Sequence, residues 1–288
     1  MNRARASAFL ELTKPRLTAM ALVATLVGFL MASRGQVDWL RAAIVVLGAA
    51  LVGGGGNALN QWYERDVDAL MRRTQMRPLP TQRLAPRDAL IFGLALSVAG
   101  VAIFAVAINA LTACLAAATV VSYVCCYTPL KRVTSLCTLV GAVPGALPPL
   151  IGWAGACGSL GAQAWMLFGI LFLWQLPHFL AIAWVYRDDY ERAGFRMAPS
   201  FGLGEWGTAR QMVVYTLALL TASLLPTIAG LNGPIYFAGA FAVGVWFVAA
   251  AVTAASSRSD ASARRLFLSS IAYLPVLFVF MLVDRVRF

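Results

Sequence analysis

Apolar residues form nine long runs along the chain, separated by short polar segments. Most runs approach the roughly 20 residues that a helix needs to cross a bilayer, and they lack the alternation of membrane barrel strands. The pattern therefore predicts an all-α polytopic membrane protein with nine transmembrane helices. The approximate cores of these helices are 17–31, 39–60, 89–108, 110–130, 136–153, 164–186, 212–230, 234–256 and 266–283.

The composition excludes a water-soluble globule. Hydrophobic residues make up 60% of the 288 positions, charged residues make up 12%, and the mean hydropathy is +0.76. Soluble domains average about 25% charged residues. No polar linker separates two halves, so the sequence predicts a single intramembrane domain over residues 1–288.

The basic residues predict the orientation in the membrane. If the N-terminus is cytoplasmic, 19 of the 23 Lys and Arg residues fall on the cytoplasmic side, and only Arg34, Arg41, Arg285 and Arg287 fall outside. Such a skew follows the retention of positive charge in cytoplasmic loops and predicts a cytoplasmic N-terminus and an outside C-terminus. Because this charge is dispersed over short loops, we expect no nucleic-acid partner despite the net charge of +11.

Half of the twelve acidic residues lie in two clusters. Glu64, Asp66 and Asp68 follow the second run, and Asp188, Asp189 and Glu191 follow the sixth. Each cluster is expected at the cytoplasmic end of an apolar helix, so the two patches share one side of the membrane.

Asn60, Glu64 and Asp68 are spaced by four residues, which places them along one helix face. Two carboxylates about 6 Å apart repel by roughly 3 kcal/mol at an effective dielectric near 20. Mg²⁺ prefers such oxygen ligands and leaves positions open for a phosphate. A solvated helix end paired with nearby arginines explains the spacing equally well, so both interpretations stay open at this point.

The basic residues that follow favour a phosphate site. Arg72, Arg73 and Arg77 come directly after the carboxylates, and the guanidinium fork matches phosphate oxygens. Lys131 and Arg132 lie after Tyr127 in the fourth loop, where they serve either this site or the membrane topology alone.

His178 is the only histidine and lies inside the sixth run, directly after Pro177. Polar side chains inside a span tend to face the protein interior and to be functional. His178 is therefore a candidate to bind a haem-like substrate or to transfer a proton. A hydrogen-bonded core residue is the structural alternative.

Two further patterns concern helix packing. Four consecutive glycines, Gly53–Gly56, lie in the second run and predict close approach of a neighbouring helix. Pro144, Pro148 and Pro149 predict a kink in the fifth run.

Together the motifs resemble the UbiA superfamily of intramembrane prenyltransferases, and within it the branch that farnesylates haem. The Asn60, Glu64 and Asp68 pattern is one match. The other matching segments are LTKPRLT (12–18), MRRTQMRP (71–78), YTPLKRVT (127–134), GAVPGALPPLIGW (141–153), WQLPHFLAIAW (174–184) and RDDYERAG (187–194).

This resemblance implies nine helices around a central cavity, with Mg²⁺ as the cofactor. It also implies transfer of a farnesyl group from farnesyl diphosphate to the vinyl group of haem B, with water addition, giving haem O. The expected catalytic residues are Asn60, Glu64, Asp68, Lys131 and Asp189. The expected metal ligands are Asn60, Glu64, Asp68, Asp188 and Asp189. The expected diphosphate contacts are Arg16, Arg73, Arg77, Tyr127, Lys131 and Arg132, and His178 is the expected haem contact.

The chain departs from the superfamily pattern at two places. Glu64 stands where the superfamily usually has Asp. The second acidic motif usually carries two aspartates spaced by four, whereas Tyr186 and Tyr190 occupy these positions here and Asp188 and Asp189 lie between them. The altered second motif favours the haem branch.

The resemblance further implies a bacterial inner-membrane enzyme that contacts membrane lipid, with haem A synthase or oxidase assembly factors as protein partners. Three alternatives stay open: an aromatic prenyltransferase of the same superfamily that acts on a quinone or chlorophyll precursor, a secondary transporter, and a non-catalytic haem-handling membrane protein.

Overall fold

A computed structural model describes residues 3–33 and 35–286, which are mostly helical. The helices are α1 (Arg3–Leu12), α2 (Pro15–Ala32), α3 (Trp39–Asp68), α4 (Pro86–Ala107), α5 (Ala110–Val121), α6 (Thr128–Leu130), α7 (Cys137–Ala146), α8 (Pro148–Cys157), α9 (Ala162–Val185), α10 (Arg187–Arg192), α11 (Gly204–Ile228), α12 (Pro234–Ser257) and α13 (Asp260–Val283).

In the described ranges, nine helical segments are long and apolar enough to cross a membrane. One of them, Ala110–Leu130, joins α5 to α6 through a π-helical turn, and another, Cys137–Cys157, contains both α7 and α8. The predicted all-helical membrane architecture is confirmed. The orientation in the membrane stays a prediction. Two of the arginines counted on the outer side, Arg34 and Arg287, lie outside the described residues.

The helices extend beyond the apolar runs where polar residues continue them. Helix α3 ends at Asp68 rather than at Asn60, and α11 begins at Gly204. A helix satisfies the hydrogen bonds of its own backbone, and it needs apolar side chains only inside the hydrocarbon core. The extra turns of α3 carry the carboxylates beyond the apolar part of the span.

Helix α2 begins at Pro15, two residues before the first apolar run. Lys14 precedes it in the left-handed region, with φ of 48°. Pro is favoured in a first helical turn because its missing N–H has no helical partner there. The chain therefore turns sharply between α1 and α2 at the residue before Pro15.

Glycines permit the closest helix contacts. A Cβ atom on Gly55 of α3 would lie 2.3 Å from Ser97 Oγ on α4 and 2.8 Å from the Gly93 carbonyl oxygen. The predicted packing role of the glycine run is thus confirmed at Gly55. Helices α2 and α8 approach in the same way, since a Cβ on Gly152 would lie 1.8 Å from the Thr25 carbonyl oxygen.

The fifth span is interrupted at Leu147, between α7 and α8, as the prolines predict. Pro148 and Pro149 begin α8, and Pro144 lies inside α7. Proline lacks the N–H that would continue the helical ladder, which allows α7 and α8 to take separate directions.

We expect Gly152→Ala to destabilise the protein, because the added methyl group meets a backbone carbonyl that cannot move without displacing α2. Overpacking of this kind costs about 1–3 kcal/mol. Thermal unfolding of the purified protein in detergent measures the effect.

Gly169→Ala in α9 is the matched control, because a Cβ there meets no atom within 4 Å. We expect its unfolding midpoint to stay unchanged or to rise, since Ala favours a helix over Gly by up to about 1 kcal/mol. An equal response of the two variants would contradict the packing argument.

Candidate active site

Asn60, Glu64 and Asp68 form a polar ladder along one face of α3, and all three are buried. Their relative exposures are 1%, 4% and 0%. The spacing by four along a regular helix accounts for this alignment. The side chains are removed from solvent, so the alternative interpretation as a solvated helix end does not fit, although Asp68 does pair with a nearby arginine, Arg77.

Cations from two other parts of the chain neutralise the carboxylates. Lys131 Nζ lies 2.7 Å from Glu64 Oε1, with its side chain 12% exposed. Arg77 donates through Nη1 to both oxygens of Asp68, at 2.7 and 2.8 Å. Because an unpaired buried charge is strongly destabilising, these pairs are a condition of burying the ladder.

Lys14 is the third cation, and sequence reasoning did not assign it a role. Its ammonium group donates to Asn60 Oδ1 at 3.0 Å. Burial, followed by repulsion from Arg77 and opposed by attraction to Glu64, lowers the pKa of Lys14 to about 7. The feature of the sequence that could have indicated this role is the Lys14-Pro15 pair at the start of the first span, directly before Arg16.

The turn between α1 and α2 is fixed to α3 by side-chain amides. Gln61 donates to the Leu12 carbonyl oxygen at 2.9 Å, and Asn57 donates to the Thr13 carbonyl oxygen at 3.2 Å. These bonds satisfy backbone acceptors at the end of α1 and hold the next residue, Lys14, over the ladder.

Lys131 is held among aromatic rings at the end of the fourth span. Its Nζ lies 4.6 Å from the centre of the Tyr127 ring and 5.7 Å from that of Phe195. Burial lowers the pKa of Lys131, but the Glu64 carboxylate together with Tyr123 and Tyr190 raises it by more, so the pKa is raised overall. Lys131 is therefore a permanent cation. Its carbonyl accepts from the Arg196 backbone N–H at 2.8 Å, which joins this segment to the loop after α10.

The π-helical turn Ser122–Tyr127 sets the position of these aromatic residues. Tyr123 and Tyr127 stack with ring centres 5.8 Å apart. A Cβ on Gly141 of α7 would lie 2.5 Å from the Tyr127 ring, so only glycine leaves room for it. Single π-helical turns are frequent at functional sites because they shift the register of the following residues.

Asp189 connects the second acidic cluster to the loop that follows α3. Its carboxylate accepts from the backbone N–H groups of Arg72 and Arg73, both at 3.3 Å, and lies 3.1 Å from the Arg192 guanidinium. Asp189 is 8% exposed. Asp188 differs, because its side chain is 85% exposed. The structure thus joins Asp189, and not Asp188, to the loop that follows the ladder.

Arg73 lies between the two tyrosines of the second motif. Its guanidinium lies 5.1 Å from the Tyr186 ring centre and 5.8 Å from that of Tyr190, and it donates to the Tyr190 hydroxyl at 3.2 Å. Tyr186 and Arg73 line an open pocket of about 440 Å³. The other lining residues are Arg72, Val185, Asp188, Asp189 and Arg192.

Two predicted diphosphate contacts lie apart from the ladder. Arg16 and Arg132 are exposed. Of the predicted contacts, Arg77 and Lys131 touch ladder residues, Tyr127 touches Lys131, and Arg73 lies at the pocket. Helical spacing alone did not distinguish the inward-facing cations from the outward-facing ones.

His178 lies on α9, within the membrane-spanning part of the fold. Its Nδ1 is 2.6 Å from Ser270 Oγ on α13, and its ring stacks on Trp174 with centres 4.9 Å apart. The predicted haem contact is therefore in a different environment from the charged ladder.

The donor set fits Mg²⁺ bound together with a phosphate. Asn60, Glu64 and Asp68 offer carboxamide and carboxylate oxygens, the ligands that this hard cation prefers. Within the described ranges, no group of three or more His, Cys, Asp or Glu residues is arranged to hold a metal ion by itself. Mg²⁺ typically completes its shell with water and substrate phosphates, so an open set of this kind suits it.

Residues 21–274 match the UbiA prenyltransferase family. The chain belongs to this family. A protein of Solibacter usitatus named protoheme IX farnesyltransferase is 44% identical over 286 residues, covering 96% of this chain and 98% of that protein.

Solved structures show the same fold at low sequence identity. A digeranylgeranylglyceryl phosphate synthase superposes with a TM-score of 0.81 at 16% identity, covering 97% of this chain and 98% of the other. A UbiA homologue from Archaeoglobus fulgidus, bound to DMAPP and Mg²⁺, has a TM-score of 0.69 at 17% identity, covering 95% and 98%. The UbiA-type helical architecture is thus established for this chain.

We expect Lys131→Met to lower the thermal unfolding midpoint strongly, because it leaves Glu64 buried without its partner. Breaking a buried pair in this way costs about 3–5 kcal/mol. Adding Glu64→Gln to the same protein should recover most of the lost stability, since the second change removes the stranded charge. The measurement is thermal unfolding of the two single variants and the double variant.

Arg132→Met is the control, because Arg132 is the exposed neighbour of Lys131. We expect it to shift the midpoint little. Additive losses in the double variant would show that Lys131 and Glu64 do not depend on each other.

Proposed function

We propose that this protein transfers the farnesyl group of farnesyl diphosphate to the vinyl group of haem B, with addition of water, and releases haem O and diphosphate. Membership of a prenyltransferase family and the near-full-length similarity to a protoheme IX farnesyltransferase support this assignment. The structural observation that carries it is the buried ladder on α3 with a cation on each of its three residues.

Lys14, Lys131 and Arg77 form the set that binds the diphosphate. All three contact one helix face, and each is partly buried. As the diphosphate enters, the cations exchange α3 oxygens for phosphate oxygens, and the Arg77 fork matches two of them. Fixed cations in a water-poor site stabilise the charge that develops on the leaving group.

Asn60, Glu64 and Asp68 are the proposed Mg²⁺ ligands, with Asp189 added from the second acidic cluster. Bound there, the ion would neutralise charge on the departing diphosphate. The fold neighbour solved with DMAPP and Mg²⁺ supports a metal in this family. Asp188 receives no role in this proposal because its side chain is 85% exposed.

The transfer itself proceeds through an allylic cation. Departure of the diphosphate breaks the bond between oxygen and C1 of the farnesyl chain. The vinyl π electrons of haem B then form a carbon–carbon bond to C1, and the resulting cation takes up water and loses a proton. The Tyr123 and Tyr127 faces beside Lys131 stabilise positive charge by cation–π attraction.

The haem is assigned to the region around His178, on the membrane side of the ladder. This protein is a multi-pass membrane protein. We propose that it lies in a bacterial inner membrane with its N-terminus in the cytoplasm, so that the ladder faces the cytoplasmic leaflet. Haem A synthase or oxidase assembly factors are then the proteins that receive haem O.

Product mass distinguishes haem farnesylation from the quinone-precursor alternative. We expect the purified protein, given Mg²⁺ and farnesyl diphosphate, to convert haem B to haem O and to leave 4-hydroxybenzoate unchanged. Mass spectrometry identifies the products. Farnesylated 4-hydroxybenzoate without haem O would assign the chain to aromatic prenylation.

We expect Asp68→Asn to lower the rate of diphosphate release about a hundredfold or more, because it removes charge from the proposed metal site. Losses of this size follow the removal of one group that stabilises a developing charge. Chelation of Mg²⁺ should have the same effect on the unaltered protein. The measurement is pyrophosphate release with farnesyl diphosphate and haem B.

Asp66→Asn is the matched control, because Asp66 lies two residues from Asp68 but is 78% exposed and out of phase with the ladder. We expect its rate to stay near that of the unaltered protein. Absence of Mg²⁺-dependent pyrophosphate release from the unaltered protein would favour a transporter or a non-catalytic haem-handling protein instead.

A further inference from the structure

His178 is connected to α13 through a single residue, Ser270. Its Nδ1 lies 2.6 Å from Ser270 Oγ. Trp174, one helical turn earlier on α9, donates its indole N–H to the Ser270 carbonyl oxygen at 2.8 Å and stacks on the imidazole. The imidazole is thus fixed in position by a hydroxyl on one edge and an indole on one face.

The hydroxyl of Ser270 has one proton, and its geometry shows where this proton goes. Ser270 Oγ lies 2.6 Å from the Phe267 carbonyl oxygen, which can only accept. The hydroxyl therefore donates to Phe267 and must accept from His178. Nδ1 then carries the imidazole proton, and Nε2 keeps its lone pair.

The surroundings of the ring are apolar apart from Ser270. The Phe267 ring centre lies 5.1 Å from that of His178, and the Phe179 ring centre lies 5.8 Å away. In the part of the chain that the structure describes, Nε2 has no hydrogen-bond partner and no carboxylate contacts the ring. His178 is only partly buried, and Nε2 carries the lone pair that a metal ion can bind.

We propose that Nε2 of His178 coordinates the iron of the metalloporphyrin substrate, and that Ser270 is a positioning residue that holds His178 in the required tautomer. This inference rests on the proposed function. A hydrogen bond from the non-ligating nitrogen is the arrangement that orients histidine ligands of metals in proteins. Neutral imidazole nitrogen is an established axial ligand of haem iron.

The experiment compares ferric protohaem with iron-free protoporphyrin IX as ligands of the full-length protein in nanodiscs. The imidazole coordinates only the iron. Changes at the imidazole should therefore alter the binding and the spectra of ferric haem but not the binding of iron-free porphyrin. His178→Ala should abolish the histidine-ligated optical and electron paramagnetic resonance spectra, and added imidazole should restore them. Its affinity for iron-free porphyrin should stay the same.

Ser270→Ala should weaken ferric haem binding about tenfold, within the range found when a hydrogen-bond partner of a metal ligand is removed. Ser270→Thr keeps the hydroxyl and should restore the affinity. Ser269→Ala is the matched control on the same helix and should bind ferric haem like the unaltered protein. Unchanged binding of iron-free porphyrin by Ser270→Ala shows that the fold is intact. If Ser270→Ala loses the binding of iron-free porphyrin as well, the binding of ferric haem by His178→Ala and Ser270→Thr tests the proposal instead.

Ferric haem spectra that are the same in His178→Ala and the unaltered protein would overturn the coordination. A Ser270→Thr variant as weak as Ser270→Ala would overturn the role of the hydroxyl. Failure of the proposed function gives a different result: the unaltered protein would then form no haem O from farnesyl diphosphate, whatever its haem spectrum.

Discussion

Burying three polar residues on one face of α3 is the constraint on which the site depends. Two carboxylates at positions 64 and 68 cannot leave water without partners, and no residue of the same face supplies them. Lys131 and Arg77 do so from different parts of the chain, and Lys14 adds a third contact at Asn60. The α1–α2 turn, the loop after α3 and the end of the fourth span therefore meet at one place.

The same pairs that stabilise the buried ladder explain how it would accept a diphosphate. A cation held against a carboxylate is already desolvated and oriented, so little ordering remains when a phosphate oxygen replaces the carboxylate. The carboxylate released in this exchange becomes available to a divalent cation. Binding of the anion and of the metal would thus each make the other more favourable.

Two chemically different regions lie in one helical fold. The ladder lies at the polar end of α3 and Asp189 lies on α10, whereas His178 lies within α9 among aromatic rings. Charged residues at a polar helix end suit a diphosphate, and a neutral nitrogen within the membrane suits an apolar macrocycle. A prenyltransferase that releases a charged diphosphate and joins the remaining prenyl chain to an apolar acceptor needs both regions.

The sequence alone determined the nine apolar helices, the alignment of Asn60, Glu64 and Asp68, and the superfamily resemblance, because these depend on helical period and on local motifs. Tertiary structure decided which cations face inward: Lys14 does, and Arg16 and Arg132 do not. It also decided that Asp189, rather than Asp188, contacts the loop after α3, and that Ser270 contacts His178. These contacts join residues far apart in the chain, and helix packing, which local spacing does not encode, brings them together.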